Sequence, residues 1–89
     1  TGRIKKLHKT KYDAFFRTEL EEALKRDQID RVEVAGVCTS ICVQATVGAA
    51  TFRGYPVTVK RSCVADFDQN KHELFLEHMA AIYKAEITD

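Results

Sequence analysis

The sequence predicts an α/β fold in which a parallel, Rossmann-like sheet lies between helices in a three-layer α/β/α arrangement. Four segments with strand character alternate with three helical segments in the order βαβαβαβ. Strands that are separated by single helices pair in parallel through right-handed crossovers. The 89 residues, 45% apolar and 30% charged, have the composition of one globular domain. We therefore expect residues 1–89 to form a single α/β domain.

The first predicted elements are a strand, a loop and a helix. Residues 3–8 alternate loosely in polarity, which favours a short strand, and the aromatic-rich residues 9–16 lack helical periodicity and favour a loop. Thr18 and Glu21 have the spacing of a capping box, in which each side chain satisfies a backbone N–H at the start of a helix. We expect that helix to end near Arg26.

The middle of the chain predicts a second strand and a second helix. A β-branched run near residues 32–37 favours the strand. Thr39 and Ser40 are good N-cap residues, and residues 41–52 carry helical spacing. Gly54 is then expected to end the helix as its C-terminal cap.

The last part predicts a third strand, a third helix and a fourth strand. Val57 and Val59 mark the strand. Asn70 and Glu73 repeat the capping-box spacing before the helix. The apolar positions of this helix are Leu74, Phe75, Met79 and Ile82. Residues 85–88 complete the order as a short strand.

This architecture predicts where chemistry should occur. In open parallel sheets, ligands bind just beyond the carboxyl ends of the strands. That edge brings together the loop at Lys9, the loop at residues 38–42 and a loop at residues 62–66. Candidate functional residues are therefore sought there.

Charge and cysteine content narrow the functional classes. The 14 basic and 13 acidic residues give a net charge of +1, and the basic residues are spread along the chain, so no nucleic-acid partner is expected. No apolar run approaches the length of a membrane span. Three cysteines, an odd number, suit a reducing compartment, and we expect a cytoplasmic protein. Because the chain opens at Thr1 rather than Met, we expect it to be a piece of a longer protein.

Cys42 is the most informative candidate, because it is predicted to lie in the first turn of a helix that follows a strand. Backbone N–H groups and the positive end of the helix dipole favour a thiolate there, and they can also hold an oxyanion. The alternative is that Cys42 is an inert residue of the core, which is the more common role of a cysteine in an apolar setting.

The residues around Cys42 resemble a known family. Residues 36–43, GVCTSICV, followed by Thr46, are similar to the glycine-valine-x-threonine-x-x-cysteine-valine signature of isochorismatase-like hydrolases. Residues 9–16, KTKYDAFF, look like the lysine loop of that family. Further matches are Gly54, Tyr55, His72 and Glu73. The likeness covers nearly all of the chain, but only the C-terminal half of a typical member.

The resemblance implies a cysteine hydrolase that cleaves the C–N bond of a small amide, such as nicotinamide, through a thioester acyl-enzyme. Cys42 would be the nucleophile and Lys9 the cation beside it. A cis peptide between Val37 and Cys38 would turn the backbone N–H groups of Cys38 and Cys42 toward one oxyanion. The implied partner is a small-molecule amide substrate. Family members are often oligomeric, so a homo-oligomer, or pairing with the missing N-terminal half, is also expected.

Some features of the family are not matched. The resemblance implies a proton-accepting aspartate from a loop near the N-terminus, and none of Asp13, Asp66 and Asp68 occupies its position. Ser62 replaces an aspartate that often follows the third strand. These departures leave the subfamily and the substrate open.

A metal site is an alternative for some of the same residues. Cys38, Cys42, His8 and His72 could supply ligands, but the cysteine pair lacks a matching second pair at ligand spacing. Family amidases that bind zinc take their ligands from the first half of the protein. We therefore expect no metal in this piece, whereas zinc remains open for the full-length protein.

Other residues have ordinary structural interpretations. Lys9 could be a solvated lysine at the end of a strand. Tyr12, Phe15 and Phe16 are expected in the core, although one of them could line a small pocket near the site. Cys63 is expected to be a small buried hydrophobic residue.

Two other functions stay open at the level of sequence. The chain could be a non-catalytic fragment or assembly domain that keeps the fold without the chemistry. It could also belong to an isochorismatase-type ether hydrolase, although relatives that act on that vinyl ether commonly lack this cysteine.

Overall fold

The computed structural model describes residues 4–89, which form a parallel α/β fold. The elements are α1 (Leu20–Arg26), β1 (Val32–Val37), a π-helical turn (Thr39–Val43), α2 (Gln44–Phe52), β2 (Val57–Ala65), α3 (Gln69–Ile82) and β3 (Glu86–Thr88). The three strands lie in the order β1-β2-β3, and both pairs are parallel. The predicted α/β class is confirmed. Within residues 4–89, no helix is both long and apolar enough to cross a membrane.

The register places β2 at the centre of the sheet. Val34 lies opposite Val59 on the β1 side, and Val59 lies opposite Ile87 on the β3 side. The pairing of β1 with β2 is irregular between Val34 and Gly36. Gly36 has a φ of 119°, a conformation that side chains larger than hydrogen rarely adopt. The glycine therefore lets β1 continue past this irregularity toward the candidate site.

The core lies between the sheet and the helices α2 and α3. Val59 of β2, Val47 of α2 and Met79 of α3 are each 0% exposed and belong to one cluster. Residues of β2 next to Val59 alternate with it, and Lys60 is exposed. The described residues thus form the sheet and one helical layer of the predicted arrangement.

The predicted first strand is not found. Residues 4–9 form no strand, and Arg3 lies outside the described residues. An extended segment becomes a strand only when a neighbouring strand accepts and donates its backbone hydrogen bonds, and within residues 4–89 none of the three strands pairs with this segment. Its contacts are with α1 instead, where Lys5 Nζ lies 3.7 Å from Asp27 Oδ2.

Both predicted capping boxes are wrong in part. Thr18 Oγ1 does accept the N–H of Leu20 at 3.2 Å, but Glu21 pairs with Arg53, whose Nε donates at 3.0 Å. A charged partner outcompetes a backbone N–H because ionic hydrogen bonds are stronger.

The cap of α3 is Asp68 rather than Asn70. Asp68 Oδ1 accepts the N–H groups of Asn70 at 2.8 Å and Lys71 at 3.3 Å. Glu73 binds Arg61 at 2.6 Å. The short carboxylate of Asp68 reaches the first-turn N–H groups directly, so α3 begins one residue before Asn70.

Three predictions about burial met different outcomes. Phe15 is in the core, as predicted. Tyr12 is 65% exposed and Phe16 is 41% exposed, so their assignment to the core was wrong. Cys63 is also exposed. Residues 60–63 of β2 are all exposed, and near the end of the strand only Val64 is buried, which explains the error for Cys63.

Candidate active site

The candidate nucleophile lies in the cysteine-bearing turn, residues Thr39–Val43, which connects β1 to α2. The carbonyl oxygen of Cys38 accepts the N–H of Val43 at 3.1 Å, the wide spacing of a π-helical turn. Cys42 is partly buried. The peptide bond between Val37 and Cys38 is cis, at the position where the resemblance places it.

Thr39 and Ser40 do not cap their own helix, so that prediction was wrong. The Thr39 hydroxyl lies 2.8 Å from Nδ1 of His72, and both residues are buried. The Ser40 hydroxyl and backbone N–H both donate to Oδ2 of Asp66, at 2.6 and 2.8 Å. These oxygens are committed to contacts with the end of β2 and the start of α3, and they cannot serve the first turn of their own helix.

Asp66 is held as a carboxylate by Ser40. The hydrogen bond from the Ser40 hydroxyl, followed by that from its backbone N–H, lowers the pKa of Asp66 to about 2. Hydrogen bonds to a carboxylate favour its charged form, and here they outweigh desolvation, which raises the pKa. Asp66 is therefore ionised throughout the pH range in which proteins normally work.

Lys9 lies in a loop that α2 anchors. Its Nζ donates to the carbonyl oxygen of Lys11 at 2.8 Å. The loop is fixed further along, where Thr46 Oγ1 accepts the N–H of Ala14 at 3.1 Å. Thr46 lies four positions beyond Cys42, so the cysteine-bearing turn and the start of α2, which follow each other without a break, carry the thiol and anchor the loop with Lys9.

Lys9 and Cys42 line the same cleft, which has a volume of about 470 Å³. Its remaining walls come from the loop, α1, β1 and the start of α2. They include Ala14, Phe15, Leu20, Leu24, Val34, Val37, Val43 and Thr46. A cysteine and a lysine thus both line a largely apolar cleft that can receive a small molecule.

The three segments that were predicted to meet beyond the carboxyl ends of the strands, at Lys9, residues 38–42 and residues 62–66, do lie close together. One of them differs from its predicted structure. Ser40 of the cysteine-bearing turn contacts Asp66, and Cys42 shares the cleft with Lys9. Residues 62–65 were predicted as a loop, but β2 continues to Ala65 because its end pairs with Gly36 and Val37 of β1.

The three aspartates that were considered have structural partners. Asp13 Oδ1 accepts the N–H of Phe15 at 2.7 Å, Asp68 caps α3, and Asp66 binds Ser40. None of the three lines the cleft formed by residues 4–89.

The described residues do not fit a metal centre. In residues 4–89, no group of three or more His, Cys, Asp or Glu side chains lies close enough to hold an ion. His72, a member of the alternative ligand set, is engaged by Thr39. The chemistry proposed below therefore uses no metal bound by these residues.

Three contacts escaped the sequence analysis: Thr39 with His72, Ser40 with Asp66, and Thr46 with Ala14. A signal for the first was present, because a hydroxyl residue within an apolar motif needs a hydrogen-bonding partner once it is buried. The partner could not be identified, since 33 positions separate the two residues.

Comparison with known proteins gives consistent results. The Isochorismatase domain family matches residues 5–89. An uncharacterised isochorismatase family protein of Bacillus subtilis strain 168, PncA, is 39% identical to the chain over 93% of its length, and the match covers 45% of that relative.

Two solved structures are also similar. The nicotinamidase SaPncA from Staphylococcus aureus is 41% identical with a TM-score of 0.91, and the match covers 93% of this chain and 51% of that one. The pyrazinamidase of Pyrococcus horikoshii, solved in complex with zinc, is 30% identical with a TM-score of 0.84, covering 92% and 45%. The chain thus spans about half the length of these proteins. On the family match and these likenesses, the chain belongs to the isochorismatase family.

Proposed function

We propose that the intact protein hydrolyses the C–N bond of a small amide, with Cys42 as nucleophile and Lys9 as the cation beside it. The observation that carries the proposal is the shared cleft, in which a cysteine from the first turn before α2 and a lysine from an anchored loop line the same space. A cysteine at the start of a helix is suited to act as a thiolate.

The proposed reaction has two steps. The Cys42 sulfur attacks the amide carbon, a C–S bond forms, and the C–N bond then breaks as the nitrogen leaves with a proton. Water next attacks the thioester, which releases the carboxylic acid and restores the thiol. Backbone N–H groups of Cys38 and Cys42 would hold the oxyanion in both steps, and Lys9 would stabilise the negative charge on sulfur and oxygen.

The relatives support the substrate class. The solved structures with similar folds include a nicotinamidase and a pyrazinamidase, whose names indicate primary amides of small aromatic acids. A cleft of about 470 Å³ with mainly apolar walls suits a ring of this size. If the intact protein binds zinc, as the Pyrococcus relative does, the ion would need ligands beyond those that residues 4–89 bring together.

The experiment measures ammonia release by the intact protein from nicotinamide and pyrazinamide. Cys42→Ala should lower the rate by roughly 10³-fold or more, because the covalent step is lost. Lys9→Ala should lower it by about 10²-fold. The matched controls are Cys63→Ala and Lys60→Ala, which remove an exposed cysteine and an exposed lysine of β2, both outside the cleft. Both controls should retain activity within about twofold.

The acyl-enzyme can be tested directly. Rapid quenching during turnover, followed by mass spectrometry, should find the acyl group on Cys42. Hydrolysis of either amide that persists in Cys42→Ala would overturn the proposed nucleophile. Cleavage of isochorismate by that same variant would favour the ether hydrolase instead.

The outer edge of β1 favours a second proposal, that this edge pairs with further polypeptide. No strand among residues 4–89 pairs with it, and Val37 at its end is 65% exposed. Unpaired edges and exposed apolar residues promote association. Light scattering of the 89-residue chain should therefore show self-association or, with the rest of the protein added, a complex. A stable monomer in both conditions would refute this.

A further inference from the structure

We infer that the junction between β2 and α3 holds the cysteine-bearing turn in place through two tethers, Thr39 with His72 and Ser40 with Asp66. In this arrangement the four side chains are positioning residues for Cys42. The inference rests on the proposed function, since it assigns these residues to the site that the proposed reaction uses.

The first tether is buried. Thr39 is 0% exposed, and its hydroxyl lies 2.8 Å from Nδ1 of His72, which is 8% exposed. A buried polar group that loses its partner destabilises the fold, so this hydrogen bond strongly favours one arrangement of the turn against α3. Leu76, one turn further along α3, is 1% exposed and keeps the helix itself fixed in the core.

The second tether is charged. Ser40 follows Thr39 in the turn and donates two hydrogen bonds to Asp66 Oδ2. One comes from its hydroxyl at 2.6 Å and the other from its backbone N–H at 2.8 Å. Two donors on one carboxylate oxygen restrict both the side chain and the backbone of Ser40. Asp66 is itself fixed at the end of β2, where its second oxygen accepts the N–H of Asp68 at 3.3 Å.

The tethers act through the turn rather than on a bound substrate. Cys42 and Val43 line the cleft, whereas Thr39, Ser40 and their two partners are not among its walls. The tethered residues stand three and two positions before Cys42. A hydrogen bond at either position therefore sets the direction of the backbone that leads to the sulfur and to the N–H groups beside it.

The consequence for chemistry is a fixed set of distances between the sulfur and the surrounding donors. Active sites need such groups held within about 0.5 Å, and small displacements cause large losses in rate. Loss of a tether should therefore slow reactions of the Cys42 sulfur even when the protein remains folded.

The test uses the rate of iodoacetamide alkylation at neutral pH, resolved by cysteine with mass spectrometry, in the intact protein. Thr39→Val keeps the shape of the side chain and removes the hydroxyl, whereas Thr39→Ser keeps the hydroxyl. Cys63, exposed on β2, is the internal control. Thr39→Val should slow labelling of Cys42 by about tenfold relative to Cys63, and Thr39→Ser should restore it to within about threefold of the wild type.

The second tether provides an independent variant if Thr39→Val does not fold. Asp66→Ala removes both accepted hydrogen bonds, and Asp66→Asn retains one oxygen acceptor for Ser40. Asp66→Ala should slow Cys42 labelling by about five- to tenfold, with partial recovery in Asp66→Asn. Circular dichroism would establish that each variant compared is folded.

The inference is overturned if folded Thr39→Val and Asp66→Ala label Cys42 at the wild-type rate relative to Cys63. Equal slowing by Thr39→Ser and Thr39→Val would also overturn it, because the hydroxyl would then be irrelevant. Failure of the proposed function is distinguishable, since it would appear as a wild-type protein that releases no ammonia from amides. The labelling ratios need no substrate and would still report on the tethers.

Discussion

The strands β1 and β2 lie side by side but have different surroundings. β2 pairs on both sides and buries Val57, Val59 and Val64 against the helices. β1 pairs on one side only within residues 4–89, and none of its residues is fully buried. Among the described residues, β2 therefore has a partner strand on both sides, whereas β1 has one on a single side.

The candidate active site lies at the boundary between these two regions. The cysteine-bearing turn begins at the end of the exposed strand β1, yet its tethers run to the end of β2 and the start of α3. The cleft opens on the other side, along β1 and toward Lys9. On the inference above, the position of the sulfur depends on the well-packed region of β2 and α3, whereas several walls of the cleft come from β1.

The largest expected effect separates the two strands by stability. Val59→Ala should lower the free energy of unfolding by about 2–3 kcal/mol, because a fully buried side chain of the core is truncated. Val37→Ala, in the exposed end of β1, should change it by less than about 0.5 kcal/mol. Urea denaturation measures both. Equal losses of unfolding free energy in Val59→Ala and Val37→Ala would contradict the difference between the two strands and indicate that β1 is covered in the intact protein.

A smaller effect is expected where α2 meets the end of α3. A Cβ added at Gly48 would lie 2.9 Å from Cζ of Tyr83, so the tyrosine ring must move. That ring packs edge-on against Phe52 and His78. Gly48→Ala should therefore destabilise the protein by about 1 kcal/mol, even though alanine favours a helix.

The control is to make Gly48→Ala in a protein that already carries Tyr83→Ala. With the ring removed, Gly48→Ala should instead stabilise the protein by about 0.5–1 kcal/mol through helix propensity. A double-mutant cycle in urea measures the coupling. The same sign in both backgrounds would show that close packing between α2 and the end of α3 does not depend on this glycine.

The smallest expected effect is the pH dependence contributed by Asp66. Hydrogen bonds from Ser40 lower its pKa from 3.8 to about 2, so the folded state favours the carboxylate more than the unfolded state does. This stabilisation is present above about pH 4 and is lost as the pH falls toward about 2. The difference in unfolding free energy between the wild type and Asp66→Asn should shrink across that range.

Glu77→Gln, at an exposed position of α3, is the control for general effects of charge. A difference between the wild type and Asp66→Asn that is constant from pH 5 to the lower end of that range would contradict the role given to the Ser40 hydrogen bonds.

Much of the fold was predictable because local patterns carry it. β-branched runs predicted β1 and β2, and helical spacing predicted α2 and α3. The predicted helix caps were wrong where a side chain forms its hydrogen bond with a residue distant in sequence. Glu21 accepts a hydrogen bond from Arg53 instead of a backbone N–H at the start of its own helix, and Glu73 accepts one from Arg61. Such pairings depend on which groups the fold brings together.

The candidate site shows the same division. Its central residues, Cys42 and Lys9, were selected by family motifs, and the structure places both in one cleft. Their roles in catalysis remain predictions. The contacts that fix the surrounding segments were not identified, because Thr46 contacts Ala14 across 32 positions and Ser40 contacts Asp66 across 26.

The parallel α/β class, the family and the pair of side chains on which chemistry is proposed could all be identified from the sequence. This was possible because hydrophobic periodicity and short motifs are local properties of the chain. The three-dimensional packing was needed to find that residues 4–9 form no strand, that Asp68 caps α3, and that Thr39 and Ser40 bind His72 and Asp66. A hydrogen bond goes to the best donor or acceptor within about 3 Å, and folding determines which groups come that close.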